Sequence, residues 1–489
     1  MKNKNFYLLS FGMLIIFSMI LASCQPASPP ATQPPAEQPA ATQPPAEKPA
    51  ATQPPAEQPA TQEPAAPAEP SKLVTWYQYD QNNDDPVSDE RAGNQWLRDN
   101  IPAFNQEFAG KIEWENVPKA WDKMTAELVA SVISGGEVPD IIEIVAAWIP
   151  TYTNNGALED LTDWMKSRPW FGDLEPSALA ACTGADGKIY CVPTAERPYV
   201  VFVWNELYPN GFPKTPEQFE VEAERLKAEG HYAWTYFGST QYAGDGSKRG
   251  LYSVISSFGG GYVAPDGSML LNTPENVAAI SFIRDTVKKG YAPDTVFAGG
   301  FIEEDSFKDA SAGAIPTGLM GFRYINPLTA PDGTKFDTGT EQDMYNAIDA
   351  GQVGLAPMFA PEGKTPGCNI DVMGISIPTG SANVDAAHDF IDWIMSDNAR
   401  YAKYVMGPGG GAPALLSAQS QPEFQTAFYQ QANAVINASR CVPAGKNLER
   451  PDQAAEMIMN TIFKLIKEDQ SLDIATELQK TQDEYNSGG

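Results

Sequence analysis

From residue 73 onward, short apolar runs alternate with longer stretches in which apolar positions recur every three or four residues. Leu73-Val74-Thr75-Trp76-Tyr77 is β-branched and aromatic and reads as a first strand. Trp121, Met124, Leu128 and Val132 mark one apolar face of a helix, which Gly135-Gly136 ends. Pro139-Asp140 then opens Ile141-Ile142-Glu143-Ile144-Val145, a pattern expected of a parallel strand buried on both faces. Leu158 and Leu161 belong to the next segment, and residues 189–193 and 199–204 read as two further strands. Thr215-Pro216-Glu217-Gln218 is a helix start: threonine caps, proline suits the first turn, and glutamine stands three after the cap. Thr273-Pro274-Glu275 starts a similar helix. Val384, Ala387, Ile391 and Ile394 outline another, and Ile458, Ile462, Leu465 and Ile466 the last. Strands separated by helices predict an α/β class with parallel sheets covered on both faces. The chain is long enough for two such lobes; the pattern alone leaves open a single large enzyme domain.

The first 70 residues follow different rules. Lys2 and Lys4 precede an apolar run over residues 6–21 that ends in Leu21-Ala22-Ser23-Cys24. A basic start, an apolar core and small residues at its end spell a secretion signal over 1–23, too short for a comfortable membrane span. The last four residues resemble the lipobox of bacterial lipoproteins, which implies lipidation, such as a palmitate, at Cys24 and an anchor that does not span the membrane. In residues 25–70 proline fills 15 of 46 positions, and the decapeptide Ala-Thr-Gln-Pro-Pro-Ala-Glu-(Gln/Lys)-Pro-Ala starts at 31, 41 and 51. Such a segment builds no core. Residues 24–70 are therefore expected to be a tether, with a fully extended reach of roughly 140 Å at about 3.1 Å per residue.

Charge and composition narrow the function. The chain has 489 residues, with 33 Lys+Arg against 62 Asp+Glu and a formal net charge of −29. That balance argues against nucleic acid, whose backbone it would repel. Two histidines and five cysteines leave no material for a histidine-rich metal site, and no tight Cys-x₂-Cys pair suggests zinc. Gly-x-Ser-x-Gly, His-Glu-x-x-His and a Walker phosphate loop are absent.

The order of segments resembles the family-1 extracellular solute-binding proteins, the lipoprotein receptors of ABC importers, many of which take up sugars. The resemblance rests on Lys72 to Tyr79, Gly135-Gly136-Glu137-Val138-Pro139-Asp140-Ile141-Ile142, Gly156-Ala157-Leu158-Glu159-Asp160-Leu161, and Gly187-Lys188-Ile189-Tyr190-Cys191-Val192-Pro193. It continues through Val203-Trp204-Asn205-Glu206-Leu207-Tyr208, the segment 211–219, Gly374-Ile375-Ser376-Ile377-Pro378, and Ala386-Ala387-His388-Asp389-Phe390-Ile391. It implies a two-lobed, periplasmic-binding-protein-like α/β fold, each lobe a sheet flanked by helices. The hinge is crossed about three times, near 194–198, 373–377 and 437–443. The implied amino-terminal lobe is 71–195 plus 376–437, and the carboxy-terminal lobe 196–375 plus 438–489. It further implies a monomeric, extracytoplasmic, lipid-anchored receptor that closes over a small solute, expected to be a carbohydrate, and presents it to the membrane subunits of an ABC permease. No cofactor, metal or catalytic residue is needed. Other solutes such as a polyamine or an organic acid, a secreted glycoside hydrolase with its paired carboxylates, and a surface adhesin stay open as alternatives.

Sugar recognition needs aromatic faces for C–H patches and carboxylates, amides or guanidinium groups for hydroxyls. On that basis the candidates are Tyr77, Gln78 and Asp80 after the first strand, Trp148 after the buried strand, Glu196 and Arg197 at the first crossing, Trp234, the Phe258-Gly259 turn, and Phe322-Arg323. Core packing or solvated charge is the plainer alternative for each. Phe322-Arg323 stands where the resemblance leads one to expect a tryptophan, which keeps an acidic ligand in view. An oxidising compartment permits disulfides. Cys182 and Cys191 flank a turn and read as one pair, and Cys368 and Cys441, each beside an implied crossing, as the second.

Overall fold

The computed structural model describes residues 69–488. The expected signal peptide 1–23, the lipidation site Cys24 and the tether as far as residue 68 lie outside the described residues. Strand β1 (Ser71–Trp76) is followed by helix α1 (Arg91–Glu107) and by β2 (Ile112–Asn116), which pairs with β1 in parallel. Helix α2 (Trp121–Ser134) turns Met124 and Leu128 into the core and stops at Gly135, whose φ of 67° is the left-handed conformation that a side chain disfavours. Strand β3 (Ile141–Val145) lies parallel to β1 and is buried on both faces along its whole length.

Helix α3 (Pro176–Ala181) leads to β4 (Val192–Trp204), 13 residues long. Helices α4 (Pro216–Ala228) and α5 (Pro274–Lys288) begin as their capping sequences require. The Thr215 and Thr273 hydroxyls accept from the Gln218 and Asn276 amides at 3.3 and 3.1 Å. Then come β5 (Ala314–Gly318), α6 (Gln342–Asp349), β6 (Val353–Ala356), β7 (Ile370–Ser376), α7 (Val384–Met395), β8 (Ala412–Pro413), α8 (Ala427–Ala438) and α9 (Pro451–Phe463).

The strand order is β8-β4-β7-β3-β1-β2, with β5 and β6 also paired to β4. Residues 192–198 of β4 pair with β7 and β8, and residues 199–204 pair with β5 and β6. One strand thus serves two sheets, and the fold is a two-lobed α/β architecture with helices on the sheet faces.

Two expectations need correction. Pairing is parallel across β2, β1 and β3, whereas β4 to β8 pair antiparallel with their neighbours. Parallel pairing needs a crossover that returns to the same sheet. Here β4 carries the chain out of the first sheet, and β7 brings it back in the opposite direction. Residues 199–204 are also no separate strand, although Pro193 and Pro198 suggest a break. Opposite Pro193 the β7 register shifts between Met373 and Gly374, and Pro198 stands where the ladder partners change. Both are places where a missing N–H is tolerated.

Asp140 ties the first sheet to the later chain. Its buried carboxylate accepts from the Val74 amide at 2.9 Å, the Ser381 hydroxyl at 2.7 Å and the Asn383 amide at 3.1 Å. Both expected disulfides form, Cys182–Cys191 and Cys368–Cys441. The second joins the short parallel strands Gly367–Cys368 and Arg440–Cys441, which flank β7 and the end of α8.

The two bonds close loops of very different length, with sequence separations of 9 and 73. Chain-entropy reasoning assigns them about 2.5 and about 4.5 kcal/mol respectively. Replacing Cys368 and Cys441 together by serine is expected to lower the urea midpoint by more than the same change at Cys182 and Cys191. Equal losses would show that local strain, not loop closure, sets their contributions.

Candidate functional site

Two aromatic rings, Tyr242 exposed and Phe301 half-buried, are held in place by backbone that few side chains adopt. Tyr242 has φ 58° and Phe301 has φ 61°. Bulky residues in this left-handed region carry a cost on the order of 1–3 kcal/mol. Their rings stack, with centroids 5.3 Å apart and planes 3° from parallel. Gly299 and Gly300, at φ 80° and 67°, bring Phe301 in. Gly299 suits this position chiefly by its left-handed φ, and a Cβ there would also displace the end of the Gln241 side chain, whose oxygen would lie 2.2 Å away. Phe301 is held further by Phe237, 5.2 Å away, and by the Arg249 guanidinium, 4.6 Å above its ring.

A groove lies on each side of this stack. The first, about 640 Å³, runs from Tyr242 to Trp121, Thr125 and Trp148, with Lys248 and Asp452 at its polar edge. Trp121 and Trp148 lie 4.9 Å apart, tilted by 42°. The second, about 630 Å³, lies between Phe301 and Val87-side residues, with Asp89, Arg249, Glu304 and Tyr324 on its walls. Adjacent residues Lys248 and Arg249 therefore each face a different groove.

Much of the charge in both grooves is paired. Arg249 reaches Glu304 at 3.3 Å, Lys308 reaches Glu304 at 3.7 Å and Asp305 at 3.6 Å, and Lys248 reaches Asp371 at 3.6 Å. The Tyr199 hydroxyl also donates to Asp371, at 3.1 Å. Burial raises the Glu304 and Asp89 carboxyls above their ordinary range, and nearby cations pull them back. This combination of flat aromatic faces with fixed charged hydrogen-bonding groups suits a polyhydroxylated solute.

Of the residues expected from sequence, Trp148 lines the first groove. The others line neither groove. Tyr77 is buried, its hydroxyl 3.4 Å from that of Tyr404. Gln78 is half-buried beside Tyr79, and the Asp80 carboxylate closes a turn by accepting from the Asn82 amide at 2.8 Å. Glu196 and Arg197 do not pair, because neighbours in a strand point to opposite faces. Glu196 instead accepts from the Ser177 hydroxyl at 2.8 Å. Trp234 sits in a core with Phe219, Tyr236 and Phe359. Phe258 packs on Phe282, Gly259 turns beside Lys364 with φ 92°, and Phe322 is enclosed by Tyr345 and Phe428.

Arg197 and Arg323 share a different task. Arg197 donates to the Gly409 carbonyl at 2.8 Å and to the Pro408 carbonyl at 3.2 Å. Arg323 donates to the carbonyls of Met406, at 2.8 Å, and Gly407. Tyr79 adds a bond to the Pro408 carbonyl at 2.9 Å. Four consecutive carbonyls are thus held by two buried guanidinium groups and a phenol. Glu143 is fully buried near these cations, and neither of its oxygens has a hydrogen-bond partner. Burial pushes its carboxyl up to about 7, against the downward pull of Arg197 and Arg323.

Sequence reasoning missed Trp121 as a groove residue, together with Tyr242, Lys248, Arg249 and Phe301. Trp121 falls on a helical apolar period and reads as core. The available signal for the others was glycine next to an aromatic in exposed stretches, Gly299-Gly300-Phe301 and Tyr242-Ala243-Gly244.

Fold and site together define a two-lobed binding protein. The chain belongs to the bacterial extracellular solute-binding protein family, whose model matches residues 101–432. No curated protein sequence matches it. Among solved structures it is similar to the GacH receptor of Streptomyces glaucescens, solved unliganded and with acarbose, at 16% identity and a TM-score of 0.67, covering 86% of this chain and 98% of that one. It is similar to a solute-binding protein of Thermotoga lettingae bound to alpha-D-tagatose, at 16% identity and a TM-score of 0.67, covering 85% and 99%. The Thermus thermophilus maltotriose binding protein, bound with maltotriose, matches at 17% identity and a TM-score of 0.63, covering 85% and 99%. At these identities the likeness is one of fold.

The Glu143 environment predicts a pH dependence. The folded protein keeps this proton up to about pH 7, whereas an unfolded glutamate loses it near roughly 4.3. Folding therefore takes up a proton between those values, and the group's contribution to stability falls as pH rises from about 4.3 to 7. Glu303, raised to about 7 chiefly by burial and then by Glu304, acts in the same direction. Glu143→Gln is expected to flatten the loss of urea stability between pH 5 and pH 8 and to be more stable than wild type at pH 8. An unchanged slope would mean that Glu143 is ionised throughout.

Proposed function

We propose that this chain is an extracytoplasmic receptor that captures a carbohydrate between its two lobes and delivers it unchanged to an ABC import permease. The observation that carries this reading is the first groove, which sets Trp121 and Trp148 against Tyr242 with the hydrogen-bonding side chains of Thr125, Lys248 and Asp452 on its lining. Exposed apolar side chains point the same way. Of the seven large hydrophobic residues that are exposed among the described residues, Val87, Ile133, Tyr242 and Ile302 line these two grooves. Such concentration marks a binding region. The similar structures bound to acarbose, tagatose and maltotriose fit a sugar as ligand.

In this reading the lobes are 71–195 plus 376–437 and 196–375 plus 438–489. Trp121 and Trp148 belong to the first, Tyr242 and Phe301 to the second. Ligand that touches both shifts the equilibrium toward the closed state. Strand β4 is the hinge element between them. A lipid on Cys24 and the proline-rich tether keep the receptor near its permease. The wider set of Tyr77, Gln78, Asp80, Glu196, Trp234, Phe258, Gly259 and Phe322 supports the lobes from behind the binding surfaces.

A thermal-shift screen over sugars, polyamines and organic acids tests this. One class of sugar is expected to raise the melting temperature saturably, by roughly 2.7 kcal/mol of stabilisation at 100 times the dissociation constant. Trp148→Ala and Tyr242→Ala are each expected to weaken that sugar roughly tenfold to a hundredfold in calorimetry while leaving the unliganded melting temperature close to wild type. Stabilisation by an acidic solute or a polyamine, with none from any sugar, would refute the carbohydrate reading.

A further inference from the structure

Residues 442–452 leave the carboxy-terminal lobe, touch the amino-terminal one and return. Both ends of this segment are fastened to the lobe they come from. At its start the Val442 amide donates to the Cys368 carbonyl at 3.0 Å and the Ala444 amide to the Asn369 side-chain oxygen at 2.8 Å, directly after the Cys368–Cys441 bond. Near its end the Arg450 amide donates to the Tyr485 hydroxyl at 2.9 Å. Helix α9 then begins, packed on residues 243–246 and 474–486.

The middle of the segment is bonded to the other lobe. The half-buried Lys446 ammonium donates to the Ala180 carbonyl at 2.7 Å. Ala180 lies in the last turn of α3, where carbonyls lack helical partners and a cation is favoured. The Asn154 side chain donates to the Glu449 carbonyl at 3.1 Å, and the Thr151 hydroxyl to the Asp452 carboxylate at 3.5 Å. Leu448, between these bonds, is buried. Lys446 to Glu449 form one wall of a cavity of about 210 Å³, and Ala146, Ile149, Ala181 and Thr183 form the other. The contact joins two braced points, since Cys182 in one disulfide follows α3 and Cys441 in the other precedes the segment. Left-handed backbone at Gly445 and Asn447, φ 69° and 75°, turns the chain on both sides of Lys446. The lobes also meet on another flank, where Arg91 at the start of α1 pairs with Glu341 beside α6. That pair is partly exposed, and such pairs contribute little.

We propose that residues 442–452 are a latch, with Lys446 as its catch, that holds the two lobes together before a solute arrives. The inference goes beyond the receptor reading and takes from it only the division into lobes. Each direct bond between lobes favours the closed arrangement. A solute that needs this arrangement then binds more tightly, because the competent state is already populated. Release requires the Lys446–Ala180 bond to break.

Spin labels on Gln106→Cys and Val221→Cys, exposed positions in the two lobes, report the interlobe distance by pulsed electron resonance in the full-length chain carrying Cys24→Ser. No sugar is added. The labelled chain with Lys446 intact is expected to give one narrow distance distribution. Lys446→Met, which keeps an unbranched side chain but loses the donor, is expected to broaden it toward longer distances. Lys446→Arg, which keeps a cationic donor, is expected to restore the narrow distribution. Coincident distributions for Lys446 and Lys446→Met would overturn the latch. Should Lys446→Met fail to fold by circular dichroism, Asn154→Ala, at an exposed position of the other lobe, decides by the same two outcomes. Because no sugar enters the measurement, its failure leaves the carbohydrate reading standing, and failure of every sugar in the thermal-shift screen leaves the latch standing.

Discussion

A single continuous strand holds the two halves of this protein together. Strand β4 offers residues 192–198 to one sheet and 199–204 to the other, and each backbone group must find its partner in the sheet it belongs to. The switch falls at Pro198, where the Tyr199 amide turns to the Asn369 carbonyl at 2.9 Å. Beside it, Asn369 is fully buried, and its side chain accepts from the Ala444 amide at 2.8 Å. The Cys368–Cys441 bond binds the same region. Segments that are far apart in sequence thus converge on a few residues at the place where the sheets meet.

A second constraint lies beside the first. Buried guanidinium groups need full sets of acceptors, since an uncompensated charge in the interior is costly. Arg197 and Arg323 obtain theirs from backbone carbonyls of residues 406–409, in a turn built of Gly407, Pro408, Gly409, Gly410 and Gly411. Glycine is required by close contact. A Cβ on Gly407 would stand 2.7 Å from Trp96, one on Gly410 2.9 Å from Arg323, and one on Gly411 2.4 Å from the Glu196 carbonyl. Arg323 comes from the segment after β5 and Arg197 from β4, so this turn fastens chain from both sheets. Arg197 and Arg323, expected as ligand contacts, are thus bonded to this turn. In the receptor reading proposed above, ligand recognition falls to side chains farther out.

Those outer side chains carry a cost of their own. Tyr242 and Phe301 accept unfavourable backbone conformations to place their rings between two grooves, and both lie in stretches rich in glycine. Strain of this kind persists only where the surrounding structure enforces it. Here the stack itself, the Arg249 guanidinium and the close approach at Gly299 supply that enforcement. The result is a preformed aromatic partition, a feature that reduces the ordering cost of binding.

The α/β class, the caps at Thr215 and Thr273, the stop at Gly135, the doubly buried strand at 141–145 and both cysteine pairs were legible in the chain itself. Each depends on local periodicity, on one residue's preferred conformation or on neighbouring segments. The place of Trp148 at the edge of a groove was legible too, because it follows directly on a buried strand. The continuity of β4 was hidden, since two prolines look like breaks until their ladder partners are known. The roles of Arg197 and Arg323 were hidden for a related reason: an arginine in a sequence shows its charge but not which carbonyls surround it. Trp121 and Tyr242 are 121 residues apart and meet in one groove only in the folded chain, while Phe301, stacked on Tyr242, lines the second. Local sequence determined which elements form; long-range packing decided which polar and aromatic groups were left over to meet a solute, because burial consumes partners that the sequence alone leaves free.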